Sequence, residues 1–212
     1  MRLGSYYRMC SLRASGVQFQ ARRVLDVGSH DGILLNVVEG DLRVGVDLNP
    51  QPVYGRVAMV QADGNRLPFC SGCFDQVIAT DVIEHMPDAQ NLINEMLRVV
   101  CPGGRIFLST PSAHIRMFPP FLTGWISNSW EHYWRRGYTK EELLKIITSE
   151  GHTKNAICLE WNAPAYRFCY LILRLLWAFA PNLVQPVVKM VARWDAMHPR
   201  GRYGFYWMWV EK

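Results

Sequence analysis

The sequence predicts an α/β fold built on a mostly parallel β-sheet. Three observations lead to this prediction: half of the 212 residues are hydrophobic, short apolar runs alternate with helical patterns, and a polar residue follows most of the apolar runs. The hydrophobic content supports a sizeable core and excludes a disordered chain. The length corresponds to one domain, and the absence of a fixed-period repeat argues against a solenoid or propeller.

Seven apolar runs are predicted to be strands. In chain order they are residues 23–27, 42–46, 57–61, 74–79, 105–109, 153–161 and 203–210. Helices are predicted at 33–38, closed by Gly40, at 89–100 behind an Asp88 cap, and after a Thr139–Glu142 capping box. The last run is apolar on both faces, which is typical of a strand inside a covered sheet.

Basic residues are concentrated at the two ends of the chain. Residues 1–23 carry five Lys and Arg and no acid, residues 24–162 carry 11 against 16 acids, and residues 163–212 carry seven against two. Two basic ends therefore flank an acidic middle. Such ends attract a nucleic acid or an anionic membrane face, or they form an ordinary solvated surface.

The six cysteines do not indicate a disulfide framework, because the chain is too long to need one. Residues 1–23 lack the apolar core of a secretory signal, so we expect a cytoplasmic protein with reduced thiols. Cys70 and Cys73 have the spacing of half a zinc site. No second pair accompanies them, and a plain loop is predicted there.

The residues that follow the predicted strands form the candidate ligand site, because ligands of open α/β sheets bind outside the carboxyl ends of the strands. Gly28 permits a tight turn after the first strand, and Gly32 lets the next segment pack closely. Asp47 can accept hydrogen bonds from both ribose hydroxyls, and Asp63 can accept one from an adenine amino group. Acidic residues around a glycine turn favour a nucleoside with a cationic tail over a polyphosphate.

Five segments of this region resemble the motifs of class I S-adenosylmethionine-dependent methyltransferases, in the family's order and spacing. They are VLDVGSHDG at 24–32, GVD at 45–47, ADGNRLPF at 62–69, 74–88 with IEHMPD at its end, and LRVVCPGG at 97–104. The similarity covers about residues 23–111, is weaker to residue 161, and is greatest to the ubiquinone-biosynthesis and small-molecule subgroup. It implies a Rossmann-like seven-stranded sheet with an antiparallel last strand and helices on both faces.

The resemblance also implies S-adenosylmethionine as cofactor and S-adenosylhomocysteine as product. The residues expected at the cofactor site are Asp26, Gly28, Ser29, His30, Gly32, Asp47, Leu48, Asp63, Gly64 and Asp81. Asp26 and Gly28 are expected to shape the pocket for the methionine part, and Asp47 to hold the ribose. His30 departs from the family's pattern, in which a glycine is usual. We expect its side chain to point away or to narrow the cofactor cleft.

His85 is the candidate catalytic base. The methyl group of the cofactor is already activated, so positioning does most of the work, but an acceptor hydroxyl also needs a base. His85 follows the fourth strand, and histidine titrates near neutral pH; local capping or packing is the alternative. Asp81, Glu84 and His85 also have the spacing of metal ligands on one helical face. We expect no metal, and favour a contact of Asp81 with the methionine tail.

Two segments outside the cofactor core are expected to meet the acceptor or a membrane. Residues 112–138 form a Trp-rich lid, in which Trp130, Tyr133 and Trp134 are candidates for lining an apolar pocket. Arg135 is a candidate for holding an anionic group of the acceptor. Core packing is the alternative for each aromatic residue.

Residues 163–202 form a helical insertion before the last strand, which lies within 203–212. The apolar run at 166–180 is too short to span a bilayer, and Arg167 and Arg174 share one helical face. This pattern suits a helix in the membrane interface, so we expect peripheral contact with the inner, anionic face of the membrane. A helical pair covering the active site, or packed against a second subunit of a homodimer, is the alternative.

These features predict a single-domain methyltransferase, with residues 1–22 as a basic N-terminal segment and 23–111 as the cofactor-binding core. The expected reaction is methyl transfer to an oxygen of a hydrophobic, lipid-linked or other small-molecule acceptor. A nucleic-acid methyltransferase is the first alternative, but no Asn-Pro-Pro-Tyr type segment follows the fourth strand, so nucleic acid is not the expected partner. A catalytically inactive membrane-binding module and a dinucleotide oxidoreductase are the others.

Overall fold

A seven-stranded sheet forms the centre of the molecule; the computed structural model describes residues 1–51, 57–130, 135–149, 153 and 155–212. Its strands are β2 Arg23–Val27, β4 Leu42–Asp47, β5 Ala58–Gln61, β6 Phe74–Thr80, β7 Val100–Pro111, β8 Asn155–Trp161 and β9 Phe205–Glu211. Two short strands, β1 Phe19–Gln20 and β3 Val38–Glu39, pair with each other outside this sheet.

The spatial order of the sheet is β5-β4-β2-β6-β7-β9-β8. The first five strands in this order are parallel, and β9 runs antiparallel to both of its neighbours. The expectation of a mostly parallel sheet with an antiparallel last strand is therefore confirmed. The carboxyl ends of β2, β4, β5 and β6 consequently lie along one edge of the sheet, which is where the candidate ligand residues are.

Six α-helices cover the sheet within the described part of the chain. They are α1 Leu3–Ala14, α2 Ala89–Val99, α3 Thr123–Asn128, α4 Lys140–Thr148, α5 Pro164–Phe179 and α6 Pro181–Met197. The backbone N–H of Asn91 donates to the Asp88 carboxylate over 3.0 Å at the start of α2. The Thr139–Glu142 capping box is present at the start of α4. Both caps agree with the prediction from the sequence. In each, a side-chain oxygen accepts a hydrogen bond from a backbone N–H that would otherwise be unpaired.

The sheet is covered on both faces, and adjacent residues of each strand point to opposite sides. Leu25 and Val77 pack on the face that carries α2 and α4. Val24, Ile78 and Phe107 pack on the opposite face, with α1, α5 and α6. The central strands are therefore apolar on both sides, as buried parallel strands require.

The prediction of an α-helix at 33–38 is wrong. A short 3-10 helix occupies Ile33–Val37, and the chain then enters β3. The segment between the glycine turn and β4 is too short for an α-helix that also returns to the sheet. Gly40 is not a helix cap; a Cβ atom there would lie 2.4 Å from the carbonyl oxygen of Ala21, so glycine allows the two backbones to approach.

The N-terminal segment is a helix rather than only a basic tail. Residues Leu3, Tyr6, Tyr7 and Cys10 are buried, and their spacing of i, i+3, i+4 and i+7 is that of one helical face. Helix α1 packs on α6, α5 and the 3-10 helix at 33–37. This position brings the first residues of the chain to the carboxyl edge of the sheet.

The predicted insertion at 163–202 consists of α5 and α6, joined at Ala180. No helix in the described residues is both long and apolar enough to cross a bilayer. The plain loop expected at Cys70 and Cys73 is instead closed by a disulfide between them, so reduced thiols are the wrong expectation for this pair. Gly72 takes a left-handed conformation between them, which brings the two Cα atoms to 5.7 Å.

Candidate functional site

A cavity of about 530 Å³ lies between the carboxyl edge of the sheet and helices α1 and α5. Its floor includes Gly28 after β2, Asp81 after β6, and Ser109 of β7. Its opposite walls include Trp161 at the end of β8 and Trp207 of β9. The location is the one at which open α/β sheets bind ligands.

The turn after β2 depends on residues in the left-handed conformation. Gly28 has φ 72°, His30 φ 51° and Gly32 φ 65°. A Cβ atom at Gly28 would lie 2.4 Å from a methyl group of Val82, so only glycine fits there. The backbone N–H groups of Gly28 and Ser29 donate to the carbonyl of Val46 over 2.8 and 3.0 Å, which fixes the turn against β4.

His30 is among the residues that line the cavity. Its backbone N–H donates to Asp47 over 2.9 Å. Burial, together with nearby Arg2, lowers the pKa of the His30 imidazole. The side chain is therefore neutral at neutral pH, and its buried Nδ1 has no hydrogen-bond partner among the residues that the structure describes.

Buried carboxyl groups lie under and beside the turn. Asp26 is fully buried beneath it, and one of its oxygens has no hydrogen-bond partner within the described residues. Burial raises the pKa of Asp26 well above its usual value. Glu84 is also buried and accepts a hydrogen bond from the Thr110 hydroxyl over 3.0 Å. Burial and the neighbouring Asp81 raise the pKa of Glu84.

The other expected cofactor residues lie along the edge of β4 and β5, outside the cavity. Asp47 is half-buried and accepts from the backbone N–H of both His30 and Asn49 over 2.9 Å. Asp63 is exposed and accepts from the N–H of Asn65 over 2.8 Å. Gly64 is buried against Leu92.

Two of the expected side chains do not face a ligand at this edge. The Ser29 hydroxyl is buried against the Val46 carbonyl and the Met59 sulfur. The Leu48 side chain is largely exposed, while its carbonyl accepts a hydrogen bond from the Gln61 amide. Both residues contribute to the edge through their backbone.

Asp81 has partners that the sequence analysis did not identify. The Arg8 guanidinium of α1 forms an ion pair with its carboxylate, and the Ser109 hydroxyl donates to it over 2.9 Å. The period of the buried residues in α1 was the available signal that this segment folds back over the sheet. Nothing in the sequence pattern placed Arg8 beside Asp81.

His85 lines the same cavity as Asp81. Glu84 does not join them, because its carboxyl group points into the core towards Thr110. Among the residues described, no group of three or more His, Cys, Asp or Glu side chains is arranged to hold a metal. The side chains of Asp81, Glu84 and His85 are therefore not brought together as a metal site.

Aromatic side chains form the walls of the cavity away from the floor. The indole rings of Trp161 and Trp207 stack with centroids 4.2 Å apart. The Trp130 N–H donates to the Tyr170 hydroxyl, and Tyr166 is fully buried beside it. Burial raises the pKa of the Tyr166 hydroxyl, which keeps it neutral. This part of the cavity suits an apolar or aromatic ligand.

Three arginines also line the cavity: Arg2 and Arg8 from the N-terminal end of the chain, and Arg174 from α5. The Arg174 guanidinium donates to the Ser129 hydroxyl over 2.5 Å and to the Tyr170 hydroxyl over 3.1 Å. These cations come from the two basic ends of the chain. They give the aromatic part of the cavity a positive potential.

Of the four expected acceptor residues, Trp130 lines the cavity. Tyr133 and Trp134 lie outside the described residues. Arg135 does not line the cavity, contrary to expectation. Its guanidinium pairs with Glu142 over 2.9 Å and lies 4.5 Å above the ring of Tyr138, so these local partners hold it away.

A sequence profile of the family described as "Methyltransferase domain" matches residues 25–108, the segment that contains the turn, Asp47, Asp63 and Asp81. Residues 25–108 therefore match the methyltransferase domain family. A 96-residue part of the chain is 40% identical to an uncharacterized methyltransferase of Mycobacterium sp. (strain KMS), covering 42% of this chain and 38% of that protein.

The chain is also similar to a ubiquinone biosynthesis O-methyltransferase of Vibrio atlanticus (strain LGP32). The two are 28% identical over 146 residues, which are 62% of this chain and 54% of that protein. The chain thus spans between 38% and 54% of the length of these two relatives.

The fold of the chain is similar to a crystal structure from Thermotoga maritima, described as an S-adenosylmethionine-dependent methyltransferase and possible histamine N-methyltransferase. The TM-score is 0.63 at 13% identity, over 98% of this chain and 91% of that one. At this identity the likeness shows the fold alone.

Proposed function

We propose that this domain transfers the methyl group of S-adenosylmethionine to an oxygen of a hydrophobic small-molecule or lipid-linked acceptor. The observation that carries the proposal is the cavity, which joins Gly28, His30 and Asp81 of the cofactor edge to an aromatic chamber. The methionine end of the cofactor and the acceptor would share this cavity, away from bulk water, while the nucleoside end would lie along the edge of β4 and β5. We place this activity in the cytoplasm, where S-adenosylmethionine is available.

The residues at the carboxyl edge fit S-adenosylmethionine. Asp26, Glu84 and Asp81 place three carboxyl groups under and beside the turn, and Asp26 has a buried oxygen without a partner in the described chain. A cationic ligand favours the ionised form of these groups, and a polyphosphate does not. Asp47, at the end of β4, is the candidate for the ribose hydroxyls. When bound, the cofactor supplies an electrophilic methyl group on a positively charged sulfur.

The chain's own residues position the reactants. Arg8 and Ser109 hold the Asp81 carboxylate at the cavity floor. The aromatic walls bind the apolar body of the acceptor, and Arg174 suits an anionic or carbonyl group on it. His85, on the same cavity, would take the proton that the acceptor hydroxyl loses. The name of the Vibrio relative supports oxygen as the methylated atom.

Calorimetric titration with S-adenosylhomocysteine tests the cofactor site. We expect saturable binding that Asp47→Asn weakens at least about tenfold, because a lost charge-assisted hydrogen bond costs about 1.5–3 kcal/mol. Asp41→Asn is the matched control: Asp41 is exposed, pairs with Arg22 at the surface, and should bind like the wild type. If the folded wild type does not bind, His30 and the Arg8–Asp81 pair close the cleft, and the inactive module replaces this proposal.

Incubation with radiolabelled S-adenosylmethionine tests the reaction. The acceptors are a panel of apolar phenols, carboxylic acids, thiols and amines, and we expect label in the phenols or acids. His85→Gln should lower the rate by about 100-fold or more with little change in S-adenosylhomocysteine binding, since it removes a base and leaves the cofactor edge intact. Label in amines alone, or an unchanged rate in the variant, contradicts oxygen transfer with His85 as base.

A further inference from the structure

Helix α5 has two apolar faces. One packs into the molecule and consists of Tyr166, Tyr170, Leu173 and Trp177. The other is exposed and consists of Phe168, Ile172, Leu175 and Phe179, again spaced i, i+4, i+7 and i+11. The exposed residues follow the buried ones by two positions, which is more than half a helical turn. This second face therefore points away from the sheet.

Helix α6 repeats this arrangement. Val184, Val188 and Val191 are buried, while Leu183, Val187, Met190, Trp194 and Met197 form an exposed apolar row. Phe118 adds to the α5 side, because its ring centroid lies 4.6 Å from that of the exposed Phe168. We call the exposed rows of α5 and α6, with Phe118, the hairpin surface.

The hairpin surface is unusually apolar for a surface in water. Phe179 is 81% exposed and Leu183 is 80% exposed, on either side of the turn between the two helices. Single apolar residues are scattered over most protein surfaces, but rows of large ones on adjacent helices mark an interaction surface. The tip of the hairpin is where both rows are most exposed.

The charges beside these rows favour an anionic partner. Lys189 and Arg193 are exposed on α6 next to its apolar row. Helix α5 contains no acidic residue. The only one on α6, Asp195, is buried and accepts hydrogen bonds from the backbone N–H groups of Ala165 and Tyr166 over 2.7 and 3.1 Å. A second copy of the chain would bring a surface of the same sign, which disfavours self-association.

We propose that the hairpin surface docks on an anionic lipid bilayer, with its apolar rows in the interface and its basic residues at the headgroups. This combination is the one by which amphipathic helices bind membranes without crossing them. Helix α5 also lines the cavity, through Tyr170, Arg174 and Trp177. This rests on the proposed function: the acceptor is drawn from the bilayer that the other side of the same helix contacts.

Flotation of the full chain with vesicles tests the docking. One set of vesicles contains equimolar phosphatidylglycerol and phosphatidylcholine, and the other contains phosphatidylcholine alone. We expect at least about tenfold tighter binding to the anionic set at low salt, and a smaller ratio at high salt, because salt screens the headgroup charge. Equal binding to both sets, or binding to neither, overturns the proposal.

Two variants and one control locate the surface. Ile172→Asp combined with Leu183→Asp, and Lys189→Glu combined with Arg193→Glu, should each weaken binding to anionic vesicles by at least about tenfold. Leu159→Asp is the control: Leu159 is exposed on β8, at the far edge of the sheet, and its change should alter binding by less than about twofold. If the control weakens binding as much as the hairpin variants, the site is not the hairpin.

Sedimentation equilibrium and calorimetry on the same proteins distinguish bilayer docking from self-association and from loss of the cofactor site. Sedimentation is measured without lipid; a dimer that Ile172→Asp with Leu183→Asp dissociates would assign the surface to a second copy and overturn the proposal. Calorimetry with S-adenosylhomocysteine should give wild-type affinity for all hairpin variants. A wild type that binds S-adenosylhomocysteine but not anionic vesicles overturns docking alone, and a wild type that binds anionic vesicles but not S-adenosylhomocysteine overturns the proposed function alone.

Discussion

The floor and the roof of the cavity are built in different ways. The floor is the glycine turn and the ends of neighbouring strands, where some polar groups bond within the turn itself, such as Gly32 N–H on the Ser29 carbonyl over 2.9 Å. The roof is α1 and α5, held by contacts between the two ends of the chain. The Tyr7 hydroxyl donates to Asp195, 188 residues later, over 2.6 Å. Short sequence segments determine the structure of the floor, and packing between distant segments determines that of the roof.

The largest effect is expected in the floor, from Gly28→Ala. The new methyl group would meet Val82 at 2.4 Å, and the residue would remain at φ 72°. We expect a loss of about 2–4 kcal/mol in the free energy of unfolding, from strain and overpacking together, measured by urea unfolding. Gly16→Ala separates the two causes. It has φ 68° with no atom within 4 Å, so it should lose only about 1–2 kcal/mol.

A smaller effect is expected in the roof, from Tyr7→Phe. The change removes a buried donor from Asp195, and we expect a loss of about 1–3 kcal/mol by urea unfolding. Tyr6→Phe is the matched change on the same helix, where the hydroxyl donates to Gln185 over 3.3 Å in a partly buried position. Tyr6→Phe should lower the free energy of unfolding by less than about 1 kcal/mol. Equal losses would mean that the buried junction at Asp195 does not hold the roof.

The smallest effect is a gain in stability, from Asp26→Asn. Burial raises the pKa of Asp26 in the folded state. The contribution of protonated Asp26 to the free energy of unfolding is therefore fully present below the usual aspartate pKa of about 4, and it is lost as the pH rises towards the raised pKa. The variant lacks this loss. We expect it to be more stable than the wild type by about 1 kcal/mol at pH 7 and by less at pH 4, measured by thermal unfolding.

Asp41→Asn is the control for that titration, because Asp41 is exposed and should change stability by less than about 0.5 kcal/mol at either pH. Asp26→Asn should also weaken S-adenosylhomocysteine binding. A variant that is less stable at pH 7, or equally stabilised at both pH values, would show that Asp26 is not an unfavourable buried charge.

The sequence predicts the floor well because its determinants are local. The strand ends at Asp47 and Asp81, the glycine turn and the caps at Asp88 and Thr139 each follow from residues within one short segment. Parallel pairing then brings separate segments to one edge of the sheet. The position of His30 in the cavity, rather than away from it, depends on the backbone conformation that the turn imposes.

The roof is predicted less well for the opposite reason. Residues 163–202 carry a helical pattern, but the pattern does not say which of two apolar faces is buried. Residues 1–22 are predicted only as a basic segment, although Leu3, Tyr6, Tyr7 and Cys10 have the spacing of one helical face. Arg8 and Arg174 reach the cavity because α1 and α5 fold over it from opposite ends of the chain.

Asp195 joins three segments at one carboxyl group. It lies on α6, accepts from Tyr7 of α1, and accepts from the backbone N–H groups of Ala165 and Tyr166 in the first turn of α5. Departure of α6 breaks the bonds to both other helices, and departure of α1 or α5 removes a partner of the buried Asp195 carboxylate. The roof is therefore one cooperative folding unit, and the amide hydrogens of α1 and of the first turn of α5 should exchange with solvent at the same free energy of opening.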